Sequence, residues 1–384
     1  MIKTHKNMSI LDFILMLILV TITVGLLFFT LHKGHNWGDD FSAYMAEGIA
    51  LSQGTFTDQT VRNGQIMGRS APIVYVWGFP LLLSLVHRCV GFETIDFSTL
   101  IYYKIPGAVS LVVLGVILYL FLIKRFNKWV SFTVSLFFSS NPVLLDFTNS
   151  ILSDLPFAAL CWISMYKIYI FLYADFRQSL RRKAICGAWL GIFVYLATIT
   201  RYAGVGLLIV LGIVQVFEGI NQKNLKLKHQ IKEKTEMNLS IQFFLAFLPY
   251  LMFIFLYFCI GLFMPYAKTQ AKDVANTSLL MIFKHMNLYY NEVLNLISSI
   301  FPVSCKSFGH ILLTVTFLGI ITAARKELPA LIYLVGTLIT VFLLPYFQGL
   351  RYILNIVPCM LLFFVHGLAF LWRYLSRFVL KSNI

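Results

Sequence analysis

The sequence predicts an all-α polytopic membrane protein, and three observations support that class. Of the 384 residues, 59% are hydrophobic and only 12% are charged, with a mean hydropathy of +0.80. Soluble domains contain about 45–50% apolar and about 25% charged residues, so a water-surrounded core could not bury this much apolar surface. The apolar residues also occur in runs of about 20, the length at which a helix crosses a bilayer.

Ten apolar runs are candidate membrane spans. The run over 9–31 is followed by no small-residue cleavage site and is long for a signal peptide, so we interpret it as an uncleaved first span. The other nine runs cover 104–123, 129–147, 155–174, 185–200, 203–217, 241–263, 308–323, 328–346 and 352–372.

The positions of lysine and arginine predict the orientation of these spans. With ten spans, the basic clusters at the N-terminus, 124–128, 177–183, 223–234, 325–326 and 373–381 all fall on one side. That side should be cytoplasmic, because basic residues are enriched in cytoplasmic loops. The net charge of +15 then reflects topology and does not indicate nucleic acid as a partner. We therefore expect a multi-pass protein of the plasma (inner) membrane.

The opposite, extracytoplasmic side should carry two long loops, 32–103 and 264–307, within a single transmembrane domain over 1–384. Residues 71–91 in the first loop are apolar enough to cross, but an additional span there would place every later basic cluster outside. Because Pro72 and Pro80 interrupt this segment, we predict a re-entrant or interfacial helix. The count is ten spans, or eleven if 71–91 crosses. For 264–307 we predict an interfacial helix and a connection.

Two groups of acidic residues lie where a span meets the predicted extracytoplasmic surface. Asp39 and Asp40 precede Tyr44 and Gly48, and the i, i+4, i+8 spacing from Asp40 places three of these residues on one helical face. Asp154 begins the run over 155–174, where an unpaired charge is costly and often functional. Both positions are also explained by helix capping, since aspartate is favoured at helix N-termini.

Three arginines lie on the same predicted side: Arg69, Arg201 and Arg351. Arginines at span ends often only extend their charged group to the membrane surface. Their guanidinium groups also match the geometry of phosphate oxygens. Together with the aspartates, they indicate a site for a phosphate-bearing substrate with a proton acceptor beside it.

Five short motifs occur in a recognisable order. They are Asp40-x-x-x-Tyr44-x-x-x-Gly48 after the aspartate pair, Tyr75-Val76-Trp77-Gly78-Phe79-Pro80, Ser153-Asp154-Leu155-Pro156, Thr200-Arg201-Tyr202 and Arg351-Tyr352-Ile353-Leu354-Asn355. In these motifs the chain resembles the GT-C glycosyltransferases, specifically the bacterial family 39 group of protein O-mannosyltransferase-like enzymes and lipid A aminoarabinose transferases. The resemblance covers about 1–210 well and the last span more weakly. Val76 and Asn355 stand where that family often has proline, and 264–307 matches none of its motifs.

The resemblance implies a GT-C-like bundle with interfacial helices in the first loop and an inverting glycosyltransferase activity. A hexose or pentose would pass from a polyprenyl-phosphate donor to a hydroxyl or phosphate of a lipid, glycan or protein acceptor, on the periplasmic or exterior face. The base would be Asp40 or Asp39, and Asp154 would orient the acceptor or a metal. Arg201 and Arg351 would bind the donor phosphate, with Arg69 a weaker candidate. The supporting residues would be Tyr44, Tyr75 and Tyr352.

The sequence leaves two questions open. The six cysteines are scattered and give no zinc-like spacing, so no cofactor is predicted from them, while the resemblance leaves a divalent metal open. The alternative function is a transporter or flippase of a lipid-linked or anionic solute. That class predicts charged residues near mid-span and paired broken helices. Here the span centres are almost free of charge, with Lys167 an exception, which favours chemistry at the surface.

Overall fold

The computed structural model describes residues 8–35, 40–54, 76–91, 98–173, 179–229, 239–261, 278–298, 306–344, 347 and 349–382. Within these residues every regular element is a helix, which confirms the predicted all-α class. The α-helices are α1 Ile10–Thr30, α2 Asp40–Gln53, α3 Gly78–Val90, α4 Leu100–Tyr103, α5 Ile105–Leu122, α6 Lys128–Ser139, α7 Pro142–Phe147, α8 Asp154–Tyr173, α9 Leu180–Thr200, α10 Gly206–His229, α11 Leu239–Gly261, α12 Leu279–Ser298, α13 Lys306–Ala323, α14 Leu328–Leu343 and α15 Val357–Ser382. Short 3-10 helices cover Tyr202–Val205, Gly349–Tyr352 and Leu354–Ile356.

Seven of the ten predicted runs form helices that are long and apolar enough to cross a membrane. These segments are Ile10–Thr30, Leu100–Leu122, Asp154–Tyr173, Leu180–Thr200, Tyr202–Ile220, Phe243–Ile260 and Leu354–Arg377. The runs over 308–323 and 328–346 form shorter apolar helices. The chain is therefore a multi-pass membrane protein.

The prediction of one continuous span over 129–147 is wrong. The structure divides this run into α6 and α7, and the 12 residues of α6 extend for about 18 Å, less than the ~30 Å hydrocarbon core. Asn141 starts the second helix, because its side chain accepts hydrogen bonds from the N–H groups of Val143 and Leu144. Pro142 follows in the first turn, where a missing N–H costs nothing.

Helix α3 lies in the described part of 71–91, the segment for which the sequence predicts a re-entrant or interfacial helix. Its 13 residues extend for about 20 Å, too short to cross unaided. Pro80 lies in its first turn and therefore does not break it, while Pro72 lies outside the described residues. Helix α3 packs against α2, and a Cβ on Gly48 would lie 2.9 Å from the Cβ of Leu83. Glycine at this position allows the two short helices to approach closely.

Helix α8 lies at the centre of the bundle, packed against α5, α9 and the 3-10 helix Leu354–Ile356. Trp162 of α8 is fully buried, and the ring of Phe121 meets it edge-on with 5.2 Å between centroids. The Trp162 indole N–H donates to the carbonyl of Asn355 over 2.8 Å. This bond holds the chain just after Arg351 against the helix that begins at Asp154.

Candidate active site

The site is built around Asp154, the first residue of α8. Its side chain is 1% exposed, and its Oδ1 lies 2.8 Å from Nη2 of Arg201. Its Oδ2 lies 3.3 Å from Nε of Arg351. One carboxylate thus bridges two guanidinium groups from distant parts of the chain. Helix capping alone does not account for this arrangement, because both oxygens face arginines.

Arg201 follows the last residue of α9, where the backbone turns sharply into the 3-10 helix Tyr202–Val205. The turn is tight: a Cβ on Gly204 would lie 2.5 Å from the backbone of Thr198, so glycine is needed there. The Nε–H of Arg201 donates to Oγ of Ser153 over 2.9 Å. The guanidinium also lies over the Tyr352 ring, with 5.3 Å from its carbon to the ring centroid, a distance at which cation–π attraction operates.

Arg351 lies in the 3-10 helix Gly349–Tyr352, which Gly349 starts in the left-handed region with a φ of +62°. Its Nη1 lies 2.9 Å from Oδ2 of Asp40, so Arg351 pairs with two carboxylates. Burial by itself lowers the pKa of Arg351, but the charges of Asp154 and Asp40 outweigh it and raise that pKa further. Arg351 is therefore permanently charged.

Asp40 is the most accessible of the four charged side chains. It is 27% exposed, against 9% for Arg351, 14% for Arg201 and 1% for Asp154. Asp40 begins α2, where the helix dipole favours a negative charge. Of the two carboxylates, this one is better placed to contact a substrate that enters from outside the bundle.

One helical turn after Asp40, Tyr44 joins the same cluster. Its Oη lies 3.1 Å from Oγ of Ser153, and its ring meets Phe79 of α3 edge-on. Burial raises the pKa of Tyr44 to about 12, so the phenol stays neutral at physiological pH. In the sequence, Ser153 stands out only as the first residue of the motif Ser153-Asp154-Leu155-Pro156, with no role of its own. The structure shows that its hydroxyl contacts both Tyr44 and Arg201, and its position next to Asp154 was the available signal.

The structure therefore brings together six of the nine residues that the sequence singled out. They are Asp40, Tyr44, Asp154, Arg201, Arg351 and Tyr352. The other three, Asp39, Arg69 and Tyr75, lie outside the described residues. Among the residues that are described, no group of three or more histidine, cysteine, aspartate or glutamate side chains is placed to hold a metal ion.

The charges of this cluster define what it can do chemically. Two arginines and two aspartates give a formal charge of zero, so the guanidinium groups are neutralised in place by carboxylates. Two guanidiniums that converge on one carboxylate can also converge on a phosphate, whose oxygens accept charge-assisted hydrogen bonds from arginine. The partly exposed carboxylate of Asp40 beside them can accept a proton.

The architecture is an all-α bundle with short helices in the loop after the first span. Two solved structures share the fold. The crystal structure of ArnT from Cupriavidus metallidurans bound to undecaprenyl phosphate superposes with a TM-score of 0.57 at 13% identity, over 91% of this chain and 59% of the ArnT chain. The crystal structure of the same ArnT in the apo state superposes with a TM-score of 0.54 at 14% identity. This superposition covers 92% of this chain and 59% of the ArnT chain.

These likenesses establish the fold, and the chain spans about three fifths of the length of ArnT. No protein-family model matches the sequence. No curated protein matches it either. The function must therefore be argued from the site.

Proposed function

We propose that the protein is an inverting glycosyltransferase that moves a sugar from a polyprenyl-phosphate donor to an acceptor hydroxyl or phosphate at the extracytoplasmic face of the plasma (inner) membrane. The observation that carries this proposal is the convergence of Arg201 and Arg351 on Asp154, with Asp40 on the other side of Arg351. Guanidinium groups that could bind a phosphate and an accessible carboxylate that could accept a proton are both present in this cluster.

Arg201 and Arg351 would bind the donor phosphate. When the bond between the anomeric carbon and the phosphate oxygen breaks, its electron pair stays on the phosphate, and negative charge develops there. Preorganised cations at that point lower the barrier to the reaction. A structure of ArnT, which shares the fold, contains bound undecaprenyl phosphate. That ligand is the chemical class we propose for this chain.

Asp40 would act as the base. It would accept the proton of the acceptor hydroxyl while the hydroxyl oxygen attacks the anomeric carbon from the side opposite the phosphate, which inverts that carbon. A base must come within about 2.6–3.2 Å of the proton-bearing atom, and this requires an accessible side chain. Asp40 meets the requirement better than Asp154, whose oxygens are buried against two arginines. Asp39, beside it in sequence, is the alternative base.

Asp154 would be a positioning residue. Its carboxylate holds both guanidinium groups in one place, and Ser153 fixes the Nε of Arg201. Tyr44 and Tyr352 would support the same arrangement through the Ser153 contact and the ring beneath Arg201. In this scheme the acceptor could be a lipid, a glycan or a protein.

The positions of the basic residues within the helices support the proposed orientation. Helix α9 begins with Arg181, Arg182 and Lys183 and ends just before Arg201. Its 21 residues extend for about 31 Å, close to the thickness of the hydrocarbon core. These positions support our proposal that the basic cluster and the site lie at opposite membrane faces, with the basic face cytoplasmic.

The test is incubation of the purified full chain with labelled polyprenyl-phosphate sugars and fractionated envelope lipids, glycans and proteins. We expect labelled product and free polyprenyl phosphate from one donor, and loss of both with Asp40→Asn. Asp12→Asn is the matched control, since Asp12 is a buried aspartate paired with Lys128 at the far end of α1. Movement of a labelled donor across vesicles without sugar transfer would instead favour the transporter alternative.

A further inference from the structure

We propose that Lys104 is a positioning residue that holds the segment leading to Asp40 against the loop leading to Asp154. The inference rests on the proposed function, because in it Lys104 sets the distance between Asp40, the proposed base, and Asp154, which holds the two arginines. Lys104 lies between α4 and α5, is 1% exposed, and has no part in the chemistry described above.

The ammonium of Lys104 makes three hydrogen bonds. Its Nζ lies 2.7 Å from the carbonyl oxygen of His32, 2.5 Å from that of Gly34, and 3.2 Å from Oδ1 of Asn149. An ammonium has three N–H donors, so each can be directed at one of these oxygens. All three acceptors are uncharged, and a buried charge held this way carries a substantial desolvation cost. Such a cost indicates that the lysine has a specific role.

Asn149 completes the connection from the other loop. Its Oδ1 also accepts from the N–H of His32 over 3.1 Å, and its Nδ2 donates to the carbonyl of Thr30 over 3.0 Å. The last carbonyls of a helix lack partners within the helix and carry partial negative charge. Asn149 thus bonds the carbonyl of Thr30, the last residue of α1, and Lys104 holds the chain just beyond the helix through the carbonyls of His32 and Gly34.

His35 adds a third connection, closer to the site. Its Nε2 accepts a hydrogen bond from the N–H of Ile151 over 2.9 Å. Its ring stacks on Phe41, the residue after Asp40, with 4.0 Å between centroids. The contacts of Lys104, Asn149 and His35 thus run in parallel between 30–35 and 149–151.

Both connected segments enter the site within a few residues. The chain passes from His35 to Asp40 in five residues, and from Asn149 to Asp154 in five residues. Lys104 fixes residues 32–34 and Asn149 relative to each other. It therefore helps to set the positions of Asp40 and Asp154 where both pair with Arg351. A displacement of about 1 Å in a catalytic group can lower the rate about 10²-fold.

The test compares Lys104→Met with Lys128→Met in the purified full chain. Methionine keeps the length of the side chain and removes the donors. Lys128 is a matched control, because its Nζ connects the other end of α1 through Oγ of Ser9 at 3.0 Å. We expect Lys104→Met to lower kcat about 10²-fold without raising the donor KM, because Arg201 and Arg351 lie on other segments. Lys128→Met should change neither constant.

Amide hydrogen exchange supplies a readout that does not depend on activity. Lys104→Met should speed exchange in 31–35 and 40–47, and leave 202–206 and 350–356 as in wild type. Equal kcat in the two variants, or unchanged exchange in 40–47, would overturn the proposal. Lys104→Gln, which keeps an N–H donor, should give intermediate values of both and replaces the methionine variant if that variant does not fold. If the wild-type chain transfers no sugar, the proposed function fails, and the exchange pattern alone decides the role of Lys104.

Discussion

Arg351 and Asp40 form an ion pair with 2.9 Å between Nη1 and Oδ2, although 311 positions separate them in the sequence. The same guanidinium also faces Asp154. A donor phosphate that binds Arg351 must compete with Asp40 for it. In the proposed mechanism, donor binding therefore releases the carboxylate that acts as the base.

Replacement of Asp40 should impair sugar transfer without weakening donor binding. Asp40→Asn should lower kcat by about 10²–10⁴-fold, the usual contribution of a general base. The affinity for polyprenyl phosphate should stay equal or rise, because Arg351 loses a competing anion. Transfer assays and binding of labelled polyprenyl phosphate measure the two effects. If Asp40→Asn and Asp39→Asn each keep near wild-type transfer, the base assignment is wrong.

Replacement of Arg351 should affect donor use first. Arg351→Ala removes a cation from the proposed phosphate site, so the donor KM should rise more than the acceptor KM. Arg351→Lys keeps the charge, but an ammonium cannot pair with Asp40 and Asp154 in the geometry of a guanidinium. This variant should therefore bind the donor more tightly than Arg351→Ala and less tightly than wild type. Arg88→Ala serves as a control, since Arg88 is an exposed arginine whose guanidinium bonds the carbonyl of Ser52 on α2. An unchanged donor KM in Arg351→Ala would contradict the phosphate role.

Asp154 should matter more for stability than Asp40. Asp154→Asn leaves two partly buried arginines without their shared carboxylate, and the loss of one partner from a buried ion pair costs about 3–5 kcal/mol. Asp40→Asn should cost less, because its side chain is 27% exposed and water can replace the contact. Thermal unfolding of both variants in detergent gives the comparison. Equal stability losses would show that the burial of Asp154 is not decisive.

The raised pKa of Tyr44 should make the stability of the protein depend on pH in the alkaline range. Burial raises its pKa from 10 in the unfolded chain to about 12 in the folded one. The protonated phenol thus contributes stability below pH 10, and this contribution is lost as the pH rises through about 12. Tyr44→Phe should be less stable than wild type at pH 8 by about 1 kcal/mol, because it lacks the bond to Ser153. The difference should narrow at pH 11, and a constant difference would contradict the assignment.

A second buried ion pair, between Glu327 and Arg125, should affect stability without affecting catalysis. Glu327, before α14, is fully buried, and its Oε2 lies 2.9 Å from Nε of Arg125, which follows α5. The Nε2 of His366 lies 3.3 Å from Oε1 of the same carboxylate. Glu327→Gln should lower the unfolding temperature, yet leave kcat and both KM values per folded molecule near wild type. A change in donor KM would show that this distant pair is coupled to the site.

The sequence predicted the membrane class and singled out six of the residues that the structure brings together, for identifiable reasons. Long apolar runs predict helices directly, because each span satisfies its own backbone hydrogen bonds within lipid. Charged residues at the predicted extracytoplasmic ends of these runs are few, so Asp154, Arg201 and Arg351 could be singled out one by one. The sequence did not predict the break at Asn141, since the residues on both sides of it are as apolar as a span. The sequence also showed no sign of a role for Lys104, because a single lysine at the start of an apolar run is an ordinary feature of membrane proteins.

What the sequence determined by itself is therefore local: which segments are apolar enough to form helices in a bilayer, and which polar residues lie at their ends. What the tertiary structure decided is which of those ends meet. Only the packing of α2, α8, α9 and the 3-10 helix Gly349–Tyr352 places Asp40, Asp154, Arg201 and Arg351 within ion-pair distance. The physical reason is that apolar periodicity specifies burial but not the neighbour, whereas an ion pair depends on distances of about 3 Å between residues far apart in the chain.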